Sequence, residues 1–188
     1  MIMRAAVLAV QGAFAEHEHM LDLLGVPHFE IREESDLRRS FDALILPGGE
    51  STVQGKLLRE LSLYDDLKER ILAGLPVLGT CAGMILLAST IDGEDYSYFA
   101  TMPVSVTRNA YGRQLGSFKA VADYGSVGPV PMTFIRAPLI SKAAPEVEIL
   151  AKVDNDIAAV RYKNQTALAF HPELNTDLKI YRDFLSGI

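Results

Sequence analysis

Gly74-Leu75-Pro76-Val77-Leu78-Gly79-Thr80-Cys81-Ala82-Gly83-Met84-Ile85-Leu86-Leu87-Ala88 changes character around its cysteine. Residues 74–78 are short and apolar, as a buried strand is, and residues 84–88 are a run of good helix formers. Cys81 is the single cysteine of the chain, and a glycine stands two residues away on either side. A tight strand-to-helix turn leaves no room for side chains at those two positions, and glycine removes them. The pattern is that of a nucleophile elbow with sulfur in place of oxygen. It puts Cys81 at a helix N-terminus, where the dipole favours a thiolate.

On either side of the elbow the pattern repeats. Residues 4–10, 27–31 and 41–46 read as buried strands. Residues 16–24 carry helical spacing that stops at Gly25. Pro47-Gly48-Gly49 ends the third strand, and Ser51 with Gln54 fits a capping box that opens a helix running to about residue 73, broken near Ser62. Strands alternating with helices in units of about 30 residues indicate an α/β protein with a parallel sheet. From residue 98 to 130 the chain turns β-like, with residues 101–107 and 117–122 expected as antiparallel strands or an extension of the sheet. Residues 147–153, 157–162 and 166–170 read as a late meander with turns at Asp154-Asn155-Asp156 and Lys163-Asn164, and residues 175–185 as a closing helix. With no repeat, linker or low-complexity tract, residues 1–188 are expected to form one domain.

Bulk composition excludes several classes. A net charge of −6 with no basic stripe argues against nucleic-acid binding. No apolar run reaches the roughly 18 residues of a membrane span. One cysteine cannot form an internal disulfide, and residues 5–10 are too short for a signal-peptide core, so a cytoplasmic protein is expected.

A thiol nucleophile needs a base, and the base needs an orienting partner. Of the four histidines, His17 and His19 lie on the first helix at a spacing that points them to different faces. They are expected on a solvated helix surface rather than at a metal. His28 stands alone near a strand and reads as structural. His171 follows the apolar run Ala167-Leu168-Ala169-Phe170 and begins His171-Pro172-Glu173. The C-terminal end of a strand is where open α/β sheets place their sites. Pro172 favours an extended backbone at His171, which would point Glu173 to the same side as the imidazole. Glu173 can then hold one ring nitrogen while the other faces Cys81, as the acidic member of a triad does. Acyl chemistry also needs donors for an oxyanion. The Ala82 N–H follows the nucleophile, and the loop Pro47-Gly48-Gly49-Glu50-Ser51-Thr52 is the candidate for a second. It lacks the Gly-Lys-Ser/Thr of a phosphate-binding loop.

Gly79-Thr80-Cys81-Ala82-Gly83 with a distant His171-Pro172-Glu173 resembles the class I, triad-type glutamine amidotransferases. Further segments are similar to one branch of them, the glutaminase subunits of pyridoxal 5′-phosphate synthase. These are Leu8-Ala9-Val10-Gln11-Gly12-Ala13 with Glu16-His17, Leu46-Pro47-Gly48-Gly49-Glu50-Ser51-Thr52, Arg108-Asn109 with Gly112-Arg113-Gln114, and Phe134-Ile135-Arg136-Ala137-Pro138. The resemblance implies a flavodoxin-like three-layer α/β sandwich, with a mostly parallel central sheet and some antiparallel strands. It implies hydrolysis of L-glutamine to glutamate and ammonia, with Cys81 as nucleophile, His171 as base then acid, and Glu173 as its partner. Gly49 and Ala82 would supply the oxyanion hole. Gly49, Glu50, Ser51, Arg108, Ile135 and Arg136 would hold glutamine. No metal or cofactor is implied, since pyridoxal 5′-phosphate is the product of the complex. The implied partner is the synthase subunit in a large heteromeric assembly, and Gln11, Gly12, Glu16 and His17 are the expected part of the docking surface.

Two segments depart from that family. Residues 92–103 lack its usual leucine- and glycine-rich pattern, and residues 115–119 lack its acidic residues around Ser117-Phe118. Other readings remain open at this level: a glutaminase of another pathway such as histidine biosynthesis, a redox-sensing module built on Cys81, or a cysteine peptidase.

Overall fold

The computed structural model describes residues 3–110 and 116–188. The quoted Gly112-Arg113-Gln114 and Leu115 lie outside the described residues. The first half of the chain is built from β1 (Ala5–Leu8), α1 (Phe14–Leu23), β2 (His28–Ile31), β3 (Ala43–Leu46), α2 (Ser51–Glu60), α3 (Tyr64–Leu72), β4 (Val77–Thr80) and α4 (Ala82–Leu87). Every residue of β1, β3 and β4 is buried. Strands covered on both faces read as unbroken apolar runs, which is why these were visible in the sequence.

The second half contributes β5 (Ala88–Ile91), β6 (Met102–Thr107), β7 (Ser117–Tyr124), β8 (Gly128–Ile135), β9 (Leu139–Ala143), β10 (Glu148–Val153), β11 (Asp156–Tyr162), β12 (Gln165–Leu168) and α5 (Lys179–Ser186). The main sheet runs β2-β1-β3-β4-β12-β11-β9-β6-β5, with β10 paired to β11. From β2 to β12 it is parallel. Beyond β12 the pairings to β11, β9 and β6 are antiparallel, and β5 is parallel to β6. The order reverses at β1, so right-handed crossovers send α1 and α2 to opposite faces. A ring contact joins His17 of α1 to Tyr181 of α5. No helix among the described residues is long and apolar enough to cross a membrane.

Several local expectations change. The Ser51 capping box does not form: Glu50 is the N-cap, and no side chain caps the helix. The Gln54 amide instead donates to the carbonyls of Gln11 (3.0 Å) and Pro47 (3.1 Å), tying α2 to two loops at the sheet edge. The break near Ser62 is present, with Ser62 at φ +56°. The helix after Cys81 ends at Leu87, and Ala88 passes directly into β5, pairing with β6.

β7 and β8 form a separate hairpin, and β8 was hidden in the sequence by Pro129 and Pro131. Alternate residues of a strand direct their N–H groups to one edge, so both prolines fit with that edge turned away from β7. The closing helix starts at Lys179 rather than at residue 175. The Asn175 amide is drawn away to the carbonyls of Pro131 and His171.

For function, one consequence of the sheet order dominates. β3, β4 and β12 are adjacent and parallel, so their C-terminal ends lie side by side. Gly48, Cys81 and His171 follow those three ends within a few residues. Gln11 follows β1, the next strand along.

Candidate active site

Cys81 sits between β4 and α4 with φ +49° and ψ −103°, a backbone conformation L-residues rarely adopt. Such strain costs about 1–3 kcal/mol and survives only where the surroundings enforce it. The Cys81 N–H donates to Leu168 O on β12 (2.8 Å), and Ile85 N–H donates to Cys81 O (3.2 Å). A Cβ on Gly83 would lie 2.0 Å from Leu46 O, and one on Gly79 would lie 2.8 Å from the Gly83 backbone. The turn therefore admits neither side chain. α4 has only six residues, which limits what its dipole adds at the sulfur. The nearer source of positive charge is His171.

The His171 N–H donates to Thr133 O (2.8 Å), and its Nδ1 lies 2.6 Å from Glu173 Oε1. Pro172–Leu174 forms a 3-10 turn. The pair therefore meets across a tight turn, not through the extended alternation read from the sequence. Burial lowers the imidazole pKa. The facing Cys81 and the hydrogen-bonded Glu173 carboxylate outweigh that burial and raise it to about 10. Burial pushes the Glu173 carboxyl up, but His17 and His171 hold it below the usual carboxylate value. An imidazolium facing the sulfur supports a thiolate.

The loop after β3 closes the other side. Gly48 N–H donates to Thr80 Oγ1 (3.0 Å), Gly48 O accepts from Ala13 N–H (2.9 Å), and Glu50 N–H donates to Gln11 Oε1 (2.8 Å). Among the described residues, the Gly49 and Ala82 N–H groups have no acceptor. A cavity of about 400 Å³ opens over this edge. Its walls include Cys81, His171, Gly49, Glu50, Arg108 and Arg136. Gln11, Gly12, Ser51 and Ile135 line it as well. The Arg108 guanidinium donates to Tyr96 OH (3.0 Å) and lies 4.0 Å from Glu94 Oε1. Arg136 is exposed, at φ +43°. The cavity lining thus combines a thiol, an imidazole and the Gly49 N–H, and Ala82 N–H directly follows the nucleophile. The same lining holds two guanidiniums suited to a carboxylate. No cluster of metal-ligating side chains occurs among the described residues.

Residues 7–188 match the SNO glutamine amidotransferase family. The chain belongs to that family. It is 60% identical over 186 residues to the pyridoxal 5′-phosphate synthase subunit PdxT of Desulfitobacterium hafniense, covering 99% of this chain and 94% of that protein. It is 53% identical to the PdxT of Methanocorpusculum labreanum, covering 99% and 98%. A solved glutamine amidotransferase superposes with a TM-score of 0.93 at 39% identity, over 98% of this chain and 99% of the other. PurLQS from Thermotoga maritima shares the fold, with a TM-score of 0.75 at 16% identity, over 100% and 99%.

Within this amidotransferase chain, the sequence reading of His17 needs correction. Its side chain is wholly buried, so it belongs neither to a solvated helix face nor to a docking surface. α1 turns it inward because α5 and β4 bring hydrogen-bonding partners to it: Nδ1 lies 2.6 Å from Tyr181 OH and Nε2 lies 3.1 Å from Thr80 Oγ1. Glu16 and Gly12 are exposed, and Gln11 is half-buried. His28 is local, with Nδ1 3.0 Å from Val26 O.

The divergent segment at residues 92–103 approaches the site, since Tyr96 holds Arg108. Asn109 and Pro138 also line the cavity; both stand in the family segments quoted above but were not expected to hold substrate. Their nearness to Arg108 and Arg136 was the available signal.

Proposed function

We infer that this chain is the glutaminase component of a pyridoxal 5′-phosphate synthase, hydrolysing L-glutamine to L-glutamate and ammonia. The observation that carries the reading is the meeting of Cys81 and His171 on one cavity wall, with His171 Nδ1 held 2.6 Å from the buried Glu173 carboxylate. The near-full-length likeness to PdxT proteins supports the choice of synthase over the histidine-biosynthesis alternative.

The Cys81 thiolate attacks the side-chain amide carbon of glutamine, and Gly49 and Ala82 N–H groups receive the oxyanion. The His171 imidazolium gives its proton to the departing nitrogen, the C–N bond breaks, and ammonia leaves a γ-glutamyl thioester. His171, now neutral, takes a proton from water as the water attacks the thioester. Collapse releases glutamate and restores the thiolate–imidazolium pair. Glu173 fixes the tautomer and supports the imidazolium throughout. Arg108 and Arg136 hold the glutamine α-carboxylate, with Glu50, Ser51 and Ile135 around the rest of the substrate. No metal or organic cofactor enters this half-reaction. Pyridoxal 5′-phosphate leaves as the product of the complex.

Ammonia is largely protonated in neutral water and escapes, so its release into a joined synthase is the useful arrangement. The reading therefore includes a cytoplasmic heteromeric assembly in which the synthase subunit docks over the cavity rim, at Gln11, Gly12 and Glu16. A redox-sensing module has less support, because Cys81 already has a base and a carboxylate partner in line. The test is glutamate release by wild type and Cys81→Ala, with and without the synthase subunit of the same organism. Wild type is expected to turn over, faster with its partner, and Cys81→Ala to be inactive. Undiminished turnover by Cys81→Ala overturns the assignment.

A further inference from the structure

Behind Glu173, four buried side chains from distant parts of the chain meet: Tyr181 of α5, His17 of α1, Thr80 of β4 and Glu173 itself. Glu173 Oε1 engages His171. Oε2 is buried and has no hydrogen-bond partner at normal distance, and His17 Nε2 lies 3.6 Å from it. An ionised carboxylate oxygen in the interior needs a donor or a positive field.

The ring's hydrogen bonds determine what His17 presents. Tyr181 OH lies 2.6 Å from Nδ1. If Nδ1 carried the proton, the phenol hydrogen would need another acceptor, and the bare Nε2 lone pair would face a carboxylate. If the phenol donates to Nδ1, the proton sits on Nε2 and points between Thr80 Oγ1 at 3.1 Å and Glu173 Oε2 at 3.6 Å. Only the second arrangement satisfies both partners.

We propose that His17 is a positioning residue for the Glu173–His171 pair, its Nε2–H directed at the otherwise unpartnered Glu173 Oε2 while Tyr181 holds the tautomer. The proposal rests on the glutaminase reading for its role in turnover. Thr80 extends the connection: its Oγ1 also accepts Gly48 N–H (3.0 Å), and it immediately precedes Cys81. One hydroxyl thus joins the shell behind the carboxylate to the loop that carries the Gly49 oxyanion donor. Burial lowers the His17 pKa, Glu173 raises it, His171 lowers it and Glu16 raises it, with a net downward shift. His17 therefore acts as a neutral N–H donor.

The chain has one cysteine, so iodoacetamide alkylation reads Cys81 alone and needs no glutamine. In His17→Leu the carboxylate loses its donor and supports the imidazolium less well. The pH midpoint for Cys81 alkylation is expected to rise by about one unit, the lower end of what a lost hydrogen bond to an ionised carboxylate is worth. kcat is expected to fall roughly tenfold, a fraction of the general acid–base contribution, with KM for glutamine within about twofold. His17→Gln, which keeps a donor near Nε2, is expected to recover most of both losses. Tyr181→Phe, which frees the tautomer, is expected to move the midpoint in the same direction by less.

If His17→Leu fails to fold, Tyr181→Phe and His17→Gln carry the test. An unmoved midpoint in folded Tyr181→Phe then overturns the proposal. So does a wild-type midpoint in folded His17→Leu, or a His17→Gln as impaired as His17→Leu. A wild type without glutaminase activity would instead remove the functional reading and leave the alkylation result standing.

Discussion

Replacing Gly48 with alanine is expected to disable the site while leaving most of the fold. A Cβ built on Gly48 lies 2.4 Å from His171 Cε1, 3.0 Å from its Nδ1 and 3.4 Å from Cys81 Cβ. Ordinary carbon contacts begin near 3.4 Å, so the ring must retreat by about 1 Å or the loop must shift by as much. The ring is not free to give way, because Nδ1 is bound to Glu173 at 2.6 Å and the residue is buried. A displacement of about 1 Å in a reacting group costs on the order of 100-fold in rate. Overpacking a filled site costs about 1–3 kcal/mol of stability. Gly48→Ala is therefore expected to lose about 100-fold in kcat while its melting temperature falls by only a few degrees. The assay is glutamate release with the synthase subunit present, alongside thermal unfolding. A folded Gly48→Ala with kcat within twofold of wild type would refute the placement of His171 as the acid–base group against this loop.

Arg136→Ala is expected to raise KM for glutamine about 10- to 100-fold with little change in kcat, as loss of a charge-assisted contact to the α-carboxylate should; steady-state kinetics checks this. The pKa of His171 is about 10 in the folded chain against 6.5 for a free imidazole. Its contribution to stability is full below about pH 6.5 and is lost as the pH climbs towards 10. Melting temperature is expected to decline across that window, and the difference between wild type and His171→Gln to shrink with it. A constant difference from pH 6 to 10 would contradict the imidazolium. Gly83→Ala meets backbone at 2.0 Å and is expected to cost about 3 kcal/mol or more, read from the denaturant midpoint.

Much of this was legible beforehand for a physical reason. β1, β3 and β4 are covered on both faces, so burial wrote them as apolar runs. The elbow was visible because Gly79 and Gly83 are sterically required by atoms a few residues away or on the adjoining strand. His171 and Glu173 are two residues apart, and one local turn joins them. β8 was hidden because its prolines are tolerated only on a hairpin edge. The capping box failed because Glu50 rather than Ser51 is the N-cap, and the Gln54 amide is committed to carbonyls of two neighbouring loops.

The sequence by itself determined the parallel half of the sheet, the strained cysteine turn and the residue types of the site, since each depends on short-range sterics and on periodic burial. Only the tertiary structure decided that β12 returns beside β4. That return brings His171, 90 residues later, to Cys81. The tertiary structure alone also decided the fate of His17, whose helix spacing looks solvated. Its partners come from Thr80, Glu173 and Tyr181, the last 164 residues away, and no local pattern encodes a cavity closed from that distance.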